Sequence, residues 1–251
     1  MLHHPTLEKL GLLKLHGMIR ALKEQAQHPG IEQLGFEERL GLLVDREMTE
    51  RFNRRLENRL TQAKFKQNAC LEDVDYQARR GLDKSLMNSL ADCQWVKKSL
   101  NILITGPTGV GKSWLACALA QKACREGHAA LYLRLPRLLQ DIALSKGDGS
   151  YNKLVNRIGK TDVLVLDDWG LATLLPEQRR DLLEILEDRH GSRSTIVTSQ
   201  LPVDQWHASI GDATLADAIM DRLVHNAYKL NLTGESLRKK RADLTTTNEI
   251  G

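Results

Sequence analysis

Eight residues, Gly106-Pro107-Thr108-Gly109-Val110-Gly111-Lys112-Ser113, constrain this chain more than any other feature. They match the pattern GxxxxGK[ST] without a mismatch, directly after the apolar run 101–105 and directly before the amphipathic segment Trp114-Leu-Ala-Cys-Ala-Leu-Ala-Gln. A glycine-rich turn between a strand and a helix cradles phosphate, because glycines let backbone N–H groups turn inward and the helix aims its positive end at the same place. The expected fold is therefore α/β, with the ligand at the C-terminal ends of parallel strands. Lys112 is placed to reach β- and γ-phosphates, and the Ser113 hydroxyl to complete the shell of a Mg²⁺ ion. Residues 106–114 form the expected ATP site, with core packing as the competing role for Trp114.

Downstream the texture supports that fold. Short apolar runs alternate with helical segments, giving expected strands at 101–105, 129–135, 162–167, 195–198 and 228–232. Helices are expected at 112–126, 136–145, 151–159, 176–190 and 215–226, with Gly127 and Gly191 at helix stops. The third strand, Val163-Leu-Val-Leu-Asp167-Asp168, is a buried apolar run ending in two carboxylates. Asp167 is the expected partner of Ser113 at the metal, and Asp168 the expected group polarising the attacking water.

Three further residues suit the same chemistry, each with a plainer alternative. Gln200 holds a water near the γ-phosphate if the strand before it lies between the first and third strands; otherwise it is a loop residue. Arg222 is either an arginine finger reaching a neighbouring subunit or a surface helix arginine paired with an acid. Arg238, after Gly234-Glu-Ser-Leu, either contacts phosphate within its own chain or does not act.

Composition closes off other classes. With 251 residues, 41% of them apolar, the chain buries a real core, and disorder is excluded. The four cysteines lack CxxC spacing and the eight histidines show no HExxH, which argues against zinc and a disulfide framework. Ser199 stands in no nucleophile elbow, and the four tryptophans are not interleaved with basic residues. No run of about 18 apolar residues occurs, and the first five residues form neither a basic nor an apolar leader; the expectation is a cytoplasmic, soluble protein without a membrane partner. Lys plus Arg exceeds Asp plus Glu by 36 to 32, so any nucleic-acid contact must rest on local patches. One such patch is 51–66, on a long amphipathic helix expected over 36–66 with Leu40, Leu43, Glu47, Phe52, Leu56 and Leu60 along one side. The division expected is a helical N-terminal domain at 1–70, a linker at 71–98, a nucleotide-binding domain at 99–243 and a tail at 244–251.

Taken together, residues 106–113, 163–168, Thr198-Ser199-Gln200, the run Gly211-Asp212…Leu215-Ala216…Asp221-Arg222-Leu223 and Gly234-Glu-Ser-Leu-Arg238 resemble the IstB-like branch of the AAA+ ATPases, close to DnaC-type helicase loaders. The N-terminal part resembles that branch too, in Leu7…Leu10-Gly-Leu, Glu37-Glu-Arg-Leu, Ala63-Lys-Phe65 and Leu71-Glu-Asp-Val-Asp75. The family consists of ATP-binding helpers encoded beside the transposases of insertion sequences, which bind DNA with little sequence preference, assemble as oligomers and stimulate the transposase. The resemblance implies an AAA+ domain with a parallel five-stranded sheet and little or no C-terminal lid. It also implies that Gln200 is a sensor-1 residue, Arg222 the finger acting in trans and Arg238 a sensor-2 residue.

Two positions depart from the wider pattern: Asp168 stands where Glu is more frequent and Gln200 where Asn is common. The shorter carboxylate suits slow hydrolysis. Lys146, Lys153, Arg157 and Lys160 lie between the second and third strands, the region that in related initiators faces the central channel. They are the candidate duplex-DNA contacts, against a solvated helix face as the alternative. Competing functions are a helicase loader acting on single strands, a small-molecule kinase and a nucleotide-gated binding module without turnover.

Overall fold

The computed structural model describes residues 5–78 and 80–237. The chain divides into two compact units, Met1–Asn58 and Arg59–Gly251. In the first, α1 (Pro5–Leu12), α2 (His16–Gln27) and the start of α3 (Phe36–Ala63) form a helical hairpin arrangement, with the break at Gly30 in the left-handed region. Glu47 belongs to the packed side of α3 for a polar reason: its carboxylate accepts from the Gly17 and Met18 amides at 2.7 and 3.2 Å, satisfying the open start of α2. The apolar side expected from Leu40 and Phe52 is not buried. Phe36, Leu40, Val44, Met48 and Phe52 form an exposed ridge at four-residue steps, because α2 packs on the Glu47 side.

The second unit is a five-stranded sheet, every pairing parallel, with strands β1 (Asn101–Thr105), β2 (Ala130–Arg134), β3 (Val163–Trp169), β4 (Ser194–Ser199) and β5 (Ala227–Asn231) in the order β2-β3-β4-β1-β5. Apolar runs make the cores of β1 and β3, and β1 and β4 are buried throughout, as a sheet covered on both faces requires, although β4 carries only Ile196 and Val197 between Ser and Thr residues. The observed strands lie within about two residues of the expected ends.

Helices α6 (Lys112–Arg125), α7 (Leu135–Asp148), α8 (Tyr151–Lys160), α9 (Pro176–Arg189) and α11 (Ala213–Val224) join the strands, with the short α10 (Trp206–Ile210) before α11. The last of them starts two residues earlier than expected because the Asp212 carboxylate caps it, accepting from the Leu215 amide at 2.9 Å. Pro136 sits in the first turn of α7 and Gly149 closes it in the left-handed conformation.

The stretch 71–98, expected as a linker, carries α4 (Lys84–Ala91) and α5 (Gln94–Lys97) and falls inside the second unit. Met87, Leu90 and Trp95 are buried there, and the Trp95 indole donates to the Leu90 carbonyl at 3.0 Å. These helices are too short for their periodicity to stand out in the sequence.

One side of the sheet is closed by α7, α8 and α9, and Arg189 of α9 is pinned inside it, 1% exposed. Its guanidinium donates to the Ile158, Thr161 and Ser194 carbonyls and to the Thr195 hydroxyl, so it acts as a polar tie between α8, α9 and β4. Burial pushes its pKa down to about 9. Arg189→Ala orphans three buried carbonyls and opens a void, and is expected to cost about 3–4 kcal/mol in urea unfolding. A loss under about 1 kcal/mol would show that the tie is dispensable.

Candidate functional site

The sheet order decides where the site lies. β4 runs between β1 and β3, so the three C-terminal strand ends stand side by side and deliver residues 106–113, Asp167-Asp168 and Ser199-Gln200 to one edge. This is the placement on which the reach of Gln200 depends. A cleft of about 750 Å³ opens there, lined among others by Thr108, Gly109, Lys112, Ser113, Trp114, Asp168 and Gln200. Trp114, in the first turn of α6, is half-buried and lines this cleft.

The loop from β1 to α6 has the conformation its glycines allow. Gly106 has φ +144°, and a Cβ there would come within 2.2 Å of the Leu232 carbonyl oxygen, so only glycine fits. The Lys112 ammonium curls back to donate to the Gly106 and Pro107 carbonyls, both at 2.7 Å. Val110 alone of the loop is buried, anchoring it from behind.

Asp167 is completely buried and surrounded by hydroxyls. The Ser113 hydroxyl donates to it at 2.7 Å, and the Thr198 and Tyr132 hydroxyls donate to it from β4 and β2. Burial, then the bond to this carboxylate, pushes the Tyr132 phenol well above its ordinary range, so it stays a donor. The Lys66 ammonium stands 3.9 Å away.

Asp168 differs sharply from its neighbour. It sits at φ +67°, at a register break in the β3–β4 pairing, and this turn swings its side chain to the Arg134 guanidinium at 2.7 Å. That bond raises the pKa of Arg134. Gln200 accepts from the Thr108 hydroxyl at 2.7 Å, linking the tip of β4 to the phosphate loop.

The remaining expected residues are not all in this cleft. The Arg222 carbonyl accepts from the Asn101 side chain at the N-terminal end of β1, the opposite end of the sheet from the loop. Its guanidinium pairs with Glu187 and donates to the Ala218 carbonyl, and the bond to Glu187 raises its pKa. Arg238 lies outside the described residues. Lys153, Arg157 and Lys160 project from α8 at helical spacing and are exposed, whereas Lys146 pairs with Asp181 at 2.6 Å. Arg157 also donates to the Gln62 carbonyl at 3.3 Å.

Five contributors were not singled out from the sequence as residues of this site: Lys66, Tyr132, Arg134, Thr198 and Arg80, the last lining the cleft beside Gly111. Tyr132 and Arg134 share one face of β2, and β2 pairs with β3 so that Arg134 stands opposite Asp167. That signal was readable once β2 was taken as the neighbour of β3. Thr198 lay in the run already marked, and Arg80 carried no pattern.

A five-stranded parallel sheet in this order, with a phosphate loop after β1 and paired carboxylates at the end of β3, makes this an AAA+ nucleotide-binding protein of the P-loop class. The chain belongs to the family described as IstB-like ATP binding protein, whose model matches residues 8–245. A relative in Sinorhizobium fredii named as an insertion-sequence ATP-binding protein is 53% identical over 239 residues, covering 95% of this chain and 98% of the relative. An insertion-sequence ATP-binding protein of Pseudomonas fluorescens is 53% identical over 203 residues, 80% of this chain and 88% of its own. Among solved structures, DnaI matches with TM-score 0.58 and 26% identity, covering 66% of this chain and 92% of DnaI. Among the described residues no helix is long and apolar enough to cross a membrane.

Proposed function

We propose that this protein is the ATP-driven helper of a transposase, assembling on duplex DNA with ATP and recruiting or activating the transposase in the cytoplasm. The observation that carries the nucleotide chemistry is the contact between Ser113 at the start of α6 and the buried Asp167 at the end of β3. The insertion-sequence names of relatives at 53% identity support the transposition setting over replication.

The residues divide the work by charge. Lys112 exchanges its carbonyl partners for β- and γ-phosphate oxygens, and the amides of the loop and of α6 take the rest. Ser113 and Asp167 present a hydroxyl and a carboxylate, the hard oxygen donors that suit Mg²⁺, and they would hold it. Such an ion neutralises charge that builds on the phosphate oxygens. Asp168 orients and deprotonates water, and Gln200 positions it beside the loop through Thr108. With one oxygen engaged by Arg134, Asp168 is a restrained base, which accords with slow turnover. Arg222 sits too far round the sheet for its own cleft and acts on a neighbour's nucleotide, giving up Glu187 on assembly. Arg238 reads the phosphates within its chain. Lys146, Lys153, Arg157 and Lys160 grip DNA phosphates without reading bases, and the helical region over 1–70 meets the transposase.

The test is binding of the purified protein to a duplex and to the matching single strand, with ATP, ADP or neither, while assembly size is followed. Duplex binding with ATP-dependent assembly is expected, and Arg222→Ala is expected to lower turnover in the assembly at least tenfold while leaving ATP affinity within about twofold. A preference for single strands would favour the loader reading. A monomer that transfers phosphate to a metabolite would overturn both.

A further inference from the structure

Arg80 is one of the residues lining the cleft, and the chemistry proposed above does not use it. It lies after the short turn Leu71–Asp73, 4% exposed, and lines the cleft beside the phosphate loop. Its Nη1 lies 2.9 Å from where a Cβ on Gly111 would stand, so the guanidinium is laid against the loop residue immediately before Lys112. Glycine at 111, with φ +99°, is what admits it.

The charge has no carboxylate partner among the described residues. Nη2 donates to the Asp75 carbonyl at 3.0 Å and Nη1 makes a long contact of 3.5 Å to the Val110 carbonyl, while Nε is buried with no partner. The nearest acid, Asp75, turns its carboxylate to the Gln77 and Ala78 amides at 2.8 and 3.2 Å. Burial accordingly lowers the pKa of Arg80 from its ordinary value. Asp75 acts on Arg80 through space only, and a buried guanidinium whose hydrogen bonds all go to neutral carbonyls is costly; an anion with several oxygens is what a planar fork of donors accepts best.

We propose that Arg80 is a nucleotide-binding residue that contacts the phosphate chain of the bound nucleotide from beside Gly111. The inference rests on the reading of this cleft as a nucleotide site. It makes the segment that leads from α3 into α4 part of that site. The same residue's carbonyl accepts from the Thr233 amide at 2.9 Å, so the chain after β5 is held at the same point.

The experiment is calorimetric titration of the full chain and of Arg80→Gln with Mg-ATP, Mg-ADP and adenosine, alongside melting without ligand. The variant is expected to bind ATP and ADP about 10- to 100-fold more weakly, the range of a charge-assisted bond, with adenosine affinity unchanged. Melting without ligand is expected to be unchanged or raised, because an uncompensated charge is removed. Equal ATP affinity with a lowered melting point would overturn the inference and leave Arg80 as packing. If the wild-type chain binds no ATP, the nucleotide reading of the cleft falls and this inference with it. Should Arg80→Gln not fold, Arg80→Lys and Arg80→Met keep most of the stem and differ in charge; equal ATP affinity in those two would also overturn it.

Discussion

Lys112→Ala is expected to lower ATP affinity at least 100-fold, with melting in the absence of nucleotide little changed. The ammonium makes two bonds to carbonyls of its own loop at 2.7 Å, and on ATP binding these are expected to give way to phosphate oxygens. Hydrogen bonds to an ionised partner contribute about 1.5–3 kcal/mol each, so the loss of two or three accounts for a factor of that size. The residue is half-buried at the start of a helix whose packing comes from Leu115, Leu119 and the alanines behind it, which the truncation does not touch. Titration of ATP into both proteins is the measurement. Affinity within tenfold of wild type would mean that the triphosphate does not lie along residues 106–113.

Asp168→Asn separates binding from chemistry. It is expected to leave ATP affinity within about threefold and to lower steady-state hydrolysis by 100-fold or more, the range for loss of a general base. The amide keeps the size of the side chain and can still accept from Arg134, but it cannot take a proton. Phosphate release under saturating ATP, with DNA present, reads the effect. If Asp168→Asn hydrolyses at the wild-type rate while Asp167→Asn does not, the roles given to the two carboxylates are exchanged. Their surroundings argue otherwise: Asp167 is enclosed by three hydroxyls, whereas Asp168 is turned toward the cleft by its left-handed backbone.

The central sheet was legible because burial on both faces writes itself as uninterrupted apolar runs, such as Ile102-Leu-Ile and Val163-Leu-Val-Leu, and these runs stop at the chemistry. The loop 106–113 was legible for a related reason, since phosphate demands glycine at fixed spacing. What stayed hidden depends on pairing between distant segments. Tyr132 and Arg134 acquire meaning only when β2 is laid against β3, and Arg222 only when its helix is seen at the far end of β1. Arg80 belongs to a stretch without periodicity, where an isolated arginine looks like any solvated one. The stripe read on the helix over 36–66 was only partly the packed one: Glu47 is buried, whereas Leu40 and Phe52 are exposed.

The side-by-side strand ends carry one more consequence. β1, β3 and β4 are interior strands, hydrogen-bonded on both edges and sealed on both faces, so the tips that bear Asp167 and begin residues 106–111 move as one rigid floor. A change of nucleotide cannot be signalled by bending that floor. What can move hangs from its rim: the turn at 170–175 after β3, the 200–205 stretch that leads to α10, and the Arg80 segment among them. Those three stretches border the cleft floor and are free of the sheet's own ladders.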